Sequence, residues 1–162
     1  RAQFILGKYL GLTFIVAVNI AIMFAMFLGT VWASGNVIYG SLFQAVELIL
    51  VETLLVMAIA MFFSTFSSST LSATMTIGVY VIGHLTSDLK GIAEKSQSQL
   101  TEAVLTALYY VCPNLELLNV KGQAANGVLV DMGYQVTATA YGLLYAGLLL
   151  TGACLIFQRR DF

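Results

Sequence analysis

Charge is what this chain has least of. Only 9% of its 162 residues are Asp, Glu, Lys or Arg, against roughly 25% in an ordinary soluble domain. The net charge of −1 leaves no basic stripe, which argues against a nucleic-acid partner. A single proline lets helices run without interruption. One histidine and two cysteines are too few for a metal cluster at ligand spacing, and a Ser-His-Asp triad has only His84 to build on. Gly7-Lys8 resembles the end of a phosphate-binding loop, but that motif needs a glycine at position 2 and Ser or Thr at position 9, where Ala2 and Tyr9 stand. The chain therefore reads as non-catalytic, with no cofactor or metal of its own.

What fills the sequence is apolar. Hydrophobic residues make up 59% and the mean hydropathy is +0.90. Tyr9–Trp32 holds only Thr13, Asn19 and Thr30 as polar residues, apart from glycines. Leu42–Phe63 and Val136–Phe157 are of similar character, and the run from Thr70 is shorter and more polar. About 20 apolar residues cross the ~30 Å hydrocarbon core as a helix. The expectation is an all-α membrane protein, one transmembrane domain with four spans at about 9–32, 42–63, 70–86 and 136–157. The first run is about twice the length of a signal-peptide core, which argues against a cleaved leader. The chain opens on Arg1 rather than methionine, which predicts sequence upstream.

Basic residues set the orientation. Arg1 and Lys8 precede the first run, and Arg159 and Arg160 follow the last. The loop 87–134 carries three lysines, Lys90, Lys95 and Lys121, against five acids, Asp88, Glu94, Glu102, Glu116 and Asp131. Lys and Arg concentrate on the cytoplasmic side, so both termini are expected inside and the loop outside. Tyr9, Trp32, Tyr134 and Phe157 then fall at the interfaces. Within the loop, Ser96-x-x-Gln99 reads as a capping box, and apolar residues at helical spacing predict an extracytoplasmic amphipathic helix at about 98–112, ended by Pro113. Leu115–Leu118 reads as a second short turn. Too short to span, the helix is expected on the outer leaflet or over the bundle as a lid. Cys112 and Cys154 fall on opposite faces, which predicts no internal disulfide.

Glu47 and Glu52 are ionisable groups inside a span, where charge is expensive and often functional. Their spacing of five puts them ~140° apart on the helix, so they do not form one paired carboxylate site. Each either faces the bundle interior or a partner as a satisfied polar group, or contributes to a conduit or gate. Asn19 and His84 carry the same two readings. Ala138, Gly142 and Ala146 form a small-residue stripe that lets helices approach closely in lipid, as do Gly7 and Gly11.

Several stretches resemble type-2 ABC transporter permeases, in the branch of the multi-copper enzyme maturation permeases. Arg1-Ala2-Gln3-Phe4-Ile5-Leu6-Gly7-Lys8-Tyr9-Leu10-Gly11-Leu12 is similar to the entry into that family's third span. Phe62–Ser67, Tyr109–Glu116 and Ile156–Phe162 resemble its cytoplasmic turn, outer loop and C-terminus. The resemblance implies spans three to six of a six-span half-permease, with the two earlier spans missing. It implies a second permease half, as homodimer or heterodimer, and a separate cytoplasmic ABC ATPase holding the ATP and Mg²⁺. Arg1, Lys8, Arg159 and Arg160 would lie on the cytoplasmic coupling side. The setting implied is a bacterial or archaeal inner membrane, with an exporter as the function. A non-transporting membrane scaffold or anchor is the alternative, and an intramembrane enzyme using Glu47, Glu52 or His84 is a third reading.

Overall fold

The computed structural model describes residues 2–86, 106, 109 and 111–159. Among the described residues the secondary structure is all helical. Helix α1 is Ala2–Ala33, α2 is Ser41–Ser64, α3 is Ser69–His84, the short α4 is Lys121–Ala125, and α5 is Met132–Arg159. A 3₁₀ turn, Glu116–Leu118, precedes α4, where Leu115–Leu118 was expected to turn. The expected helix at about 98–112 lies almost wholly outside the described residues.

Three helices, α1, α2 and α5, are long and apolar enough to cross a membrane. The run expected as a fourth span at 70–86 forms α3, which is not one of these three. Helix α3 has 16 residues and is ~24 Å long at 1.5 Å per residue, short of the ~30 Å core. Its small residues Ser72, Thr76 and Gly83 are buried, while Leu71, Ile77 and Val81 are exposed. Ser72 donates to the Ala60 carbonyl of α2 at 3.1 Å, and Thr76 is buried.

Local chemistry sets the helix ends. Gly35 closes α1 with φ +72°, the left-handed conformation that favours glycine, as Asn36 N–H donates back to the Val31 carbonyl at 3.2 Å. Gly127 does the same after α4, with Val128 N–H on the Gln123 carbonyl at 3.0 Å. Asp131 caps α5, its Oδ2 accepting from Gly133 N–H at 2.9 Å and Tyr134 N–H at 3.3 Å.

Helix α2 is the hub. In its most apolar 18-residue stretch 39% of residues are buried, against 17% for α5 and none for α1. It packs on α5 most extensively, then on α3, α1 and α4. Leu48, Leu55 and Ala58 on α2 are fully buried, with Ala138, Ala146 and Leu150 of α5 against them in one core. The small-residue stripe of α5 therefore does face the bundle. A methyl on Gly142 would collide with Val51 of α2. Gly7 and Gly11 face open space instead.

Helix α2 runs antiparallel to α1 and α3, and α5 runs parallel to α2, with Gly142 at Val51 and Gly152 at Phe62. Tyr9 Oη donates to the Leu54 carbonyl at 3.0 Å, and Phe24 meets Phe43 edge-on at 5.1 Å, which fixes α1 against α2. Leu6 shares a cleft with Cys154 and Leu155. The start of α1 and the end of α5 thus share one end of the bundle, together with the turn between α2 and α3. The other end carries the α1–α2 turn, α4 and the start of α5.

Candidate functional site

The site forms because residues 111–120 rise along α5 toward its start. Three tyrosines on one face of α5 hold that segment by its backbone. Tyr134 Oη donates to the Leu117 carbonyl at 2.8 Å, and Tyr141 Oη accepts from Asn114 N–H at 2.9 Å. Tyr145 Oη donates to the Val111 carbonyl at 2.9 Å. Tyr141 lies 9 residues into α5, so the non-helical backbone at Asn114 is held ~14 Å below the start of that helix. Non-helical backbone at such depth is tolerated only where protein or water satisfies it. The tyrosines do so, with Leu115 N–H on the Gly83 carbonyl at 3.0 Å and Asn114 Oδ1 accepting from Glu116 N–H at 3.1 Å. Leu115, Leu118 and Val120 are buried as a result.

That insertion brings three charged or chargeable groups together. Glu52, 11 residues into α2 and 5% exposed, sits ~17 Å below the start of the helix. His84, at the end of α3, places Nε2 3.2 Å from Glu52 Oε1. Lys121, at the start of α4, places Nζ 3.3 Å from Glu52 Oε2. The His84 ring stacks at 4.4 Å on Tyr80, and its Nδ1 lies 3.1 Å from the Tyr80 carbonyl. Glu52, Lys121 and Tyr80 open with Ile49, Thr53 and Val56 onto a pocket of about 270 Å³. A buried carboxylate stands in a membrane span only when paired and hydrogen-bonded, and here both oxygens have a partner.

Glu47 lies on another face of α2 and is exposed. It accepts hydrogen bonds from Gln135 Nε2 and, at 3.3 Å, from Thr139 Oγ1, both on α5. The two carboxylates thus serve separate helix pairs. Gln44 completes the polar side of α2, clamping Val130 by its N–H at 3.0 Å and its carbonyl at 3.1 Å. Asn19 is exposed and satisfies itself on the Ile15 carbonyl at 2.9 Å, joining no site. Lys8 is exposed at the end of the bundle shared by both chain ends. Arg159 ends α5 there, while Arg1 and Arg160 lie outside the described residues. Cys112 and Cys154 are free thiols.

In the sequence Glu52 and His84 have no evident partner, and Lys121 is one charge of the loop 87–134. Lys121 follows the stretch Leu115–Val120, which holds Glu116 and Asn119 among its apolar residues, so its neighbours carried no signal that it would meet an intramembrane acid. Gln135 and Thr139 carried no such signal.

The fold and site are those of a helical protein with three candidate membrane spans and a charge cluster built on the buried Glu52. Comparison with protein-family models, curated proteins and solved structures found no match in any of the three.

Proposed function

We propose that the chain is the permease subunit of an ATP-binding cassette exporter in a bacterial or archaeal inner membrane, with a cytoplasmic C-terminus. The observation that carries the reading is the Glu52–His84–Lys121 cluster at mid-depth beside an open pocket. Ionisable groups inside a membrane mark substrate or ion pathways, and substrate sites near the midplane recur where helices break and backbone unwinds. The residue-level resemblance to type-2 ABC permeases supplies the family, and the low burial of α1 and α5 suits helices that meet a second permease half and lipid. A separate ATPase drives the cytoplasmic ends of the spans apart and together, exposing the cluster alternately to either side.

The test is ATP hydrolysis by the complex purified from its membrane. Hydrolysis should require a co-purifying soluble ATPase and vanish when that partner's catalytic residues are changed. Hydrolysis by this chain alone, or a complex with no ATPase in it, would sink the reading.

A further inference from the structure

We propose that the His84–Glu52 contact is a pH-sensitive latch, which ties the end of α3 to α2 while it holds a proton and lets go as the pH rises. Each ring nitrogen of His84 faces an oxygen. Nδ1 lies 3.1 Å from the Tyr80 carbonyl and Nε2 lies 3.2 Å from Glu52 Oε1. A carbonyl and a carboxylate only accept, and a neutral imidazole has one N–H and one lone pair. With Glu52 ionised, either neutral tautomer therefore turns a lone pair toward one of these oxygens. One added proton completes both bonds, whether the ring takes it as an imidazolium or the carboxyl takes it and donates to Nε2. The count belongs to the contact and holds wherever that proton sits.

The groups around the contact do not supply this hydrogen. Lys121, at the start of α4, meets the other oxygen, Glu52 Oε2, at 3.3 Å. Glu47 of α2 is turned to Gln135 and Thr139 of α5. Tyr80 of α3 stacks on the ring at 4.4 Å. The segment packed on the end of α3 brings Pro113 and Leu115, which carry no charge. The His84 side chain is 22% exposed, so the proton comes from water, and an imidazole exchanges it between about pH 5 and 8. The closed contact binds one more proton than the open one, so closure weakens as pH rises through that range.

The latch sits where it can move something. Near the α2–α3 turn, Ser72 of α3 donates to the Ala60 carbonyl of α2 at 3.1 Å; at the far end His84 meets Glu52. The 270 Å³ pocket lies across this joint, with Glu52, Thr53 and Val56 of α2 on one side and Tyr80 of α3 on another. Leu115 N–H donates to the Gly83 carbonyl at 3.0 Å, so the inserted segment follows the end of α3. Release at His84 lets that end pivot about the turn and widens the pocket. The device needs neither ATP nor the transport reading.

His84 is the one histidine of the sequence, so nitrogen-15 histidine labelling of the full-length, tag-free protein in nanodiscs reports on that ring alone. Thermal melting compares the parent with H84F near pH 5.5 and near pH 8.5. The parent should melt roughly 4 °C above H84F at the lower pH and lose at least half of that margin at the higher, with the ring signals shifting in step. H84Q, which does not titrate, replaces H84F as the reference if the ring is needed for folding. E52Q keeps an acceptor for Lys121 and offers Nε2 an amide hydrogen, so its margin over the E52Q/H84F double variant should stay constant across the same range. Labelling of Thr53→Cys, with Cys112 and Cys154 replaced by alanine, reads the pocket. H84F should label severalfold faster than the parent at the lower pH and equally fast at the higher, and a ratio taken at one pH cancels the titration of the thiol. The proposal is overturned by a parent margin that stays constant or grows with pH, by E52Q keeping the parent's pH dependence, by ring signals that stay fixed while the margin changes, or by a labelling ratio that does not fall. A failed ATPase assay would leave these results standing.

Discussion

Removing the Glu52 carboxylate should loosen three helices at once, and double-mutant cycles can apportion the effect. Two ion contacts meet at this one group, to His84 at 3.2 Å and to Lys121 at 3.3 Å. Their worth differs because their exposure differs. At an effective dielectric of about 20, unit charges 4 Å apart attract by ~4 kcal/mol before any desolvation or ordering cost. The Lys121 side chain is 49% exposed, so water screens its pair toward the ~1 kcal/mol of exposed ion pairs. The His84 side chain is 22% exposed, and a hydrogen bond to a charged group is worth ~2 kcal/mol. Glu52→Leu alone should therefore cost about 2–3 kcal/mol. That is below the 3–5 kcal/mol of a fully buried broken pair, because Lys121 can swing its ammonium to water.

The cycles pair Glu52→Leu with His84→Phe, which keeps a ring on Tyr80, and with Lys121→Met, which keeps the apolar stem. Reversible unfolding of the purified protein in mixed micelles gives each free energy. Coupling of ~2 kcal/mol to His84 and ~1 kcal/mol to Lys121 is expected. Couplings below about 0.3 kcal/mol, within the additivity error of independent sites, would refute the cluster as a bond between α2, α3 and α4. A larger coupling to Lys121 than to His84 would refute the argument from exposure.

The remaining predictions concern the inserted segment and the arrangement of the chain ends. A methyl on Gly83 would stand 2.7 Å from the Pro113 carbonyl oxygen and 2.9 Å from Leu115 Cγ, so Gly83→Ala should lower stability by ~1–3 kcal/mol. Gly78→Ala, on the same helix with nothing within 4 Å, should instead gain ~0.5–1 kcal/mol; thermal melts of the two variants should move in opposite directions. Tyr141→Phe strands Asn114 N–H at a cost of ~1–3 kcal/mol, and hydrogen exchange should rise at residues 111–118 while α2 stays protected. Reporter fusions test the ends: a cytoplasmic reporter should be active after α5 and an extracytoplasmic one at Gly35 or Gly127, and the same side for both would break the antiparallel order.

The spans were legible because their signal is local. A run such as Tyr9–Trp32 needs only its own composition to declare itself, and α1 and α2 end within a residue or two of the apolar runs at Trp32 and Phe63. At 70–86 composition says less, because hydropathy averages over a window and cannot see that α3 ends at His84, where that residue meets Glu52. Whether an apolar stretch crosses lipid or packs on a neighbour depends on what covers it. Here only the end of α3 is covered, at Gly83 by Pro113 and Leu115, contributed from more than 25 residues away. The same distance hid the site. Glu52, His84 and Lys121 never share a helical window, and the separation of 69 positions between Glu52 and Lys121 carries no periodicity that could link them. What could link them is electrostatics. A carboxylate placed mid-span needs a partner, and the chain has few Lys, Arg or His residues to offer one. Once α2 is accepted as a membrane helix, Glu52 predicts that some basic residue assigned to a loop must come down to it. The cost of an unpaired charge in hydrocarbon thus argues for an inserted segment before any coordinates do.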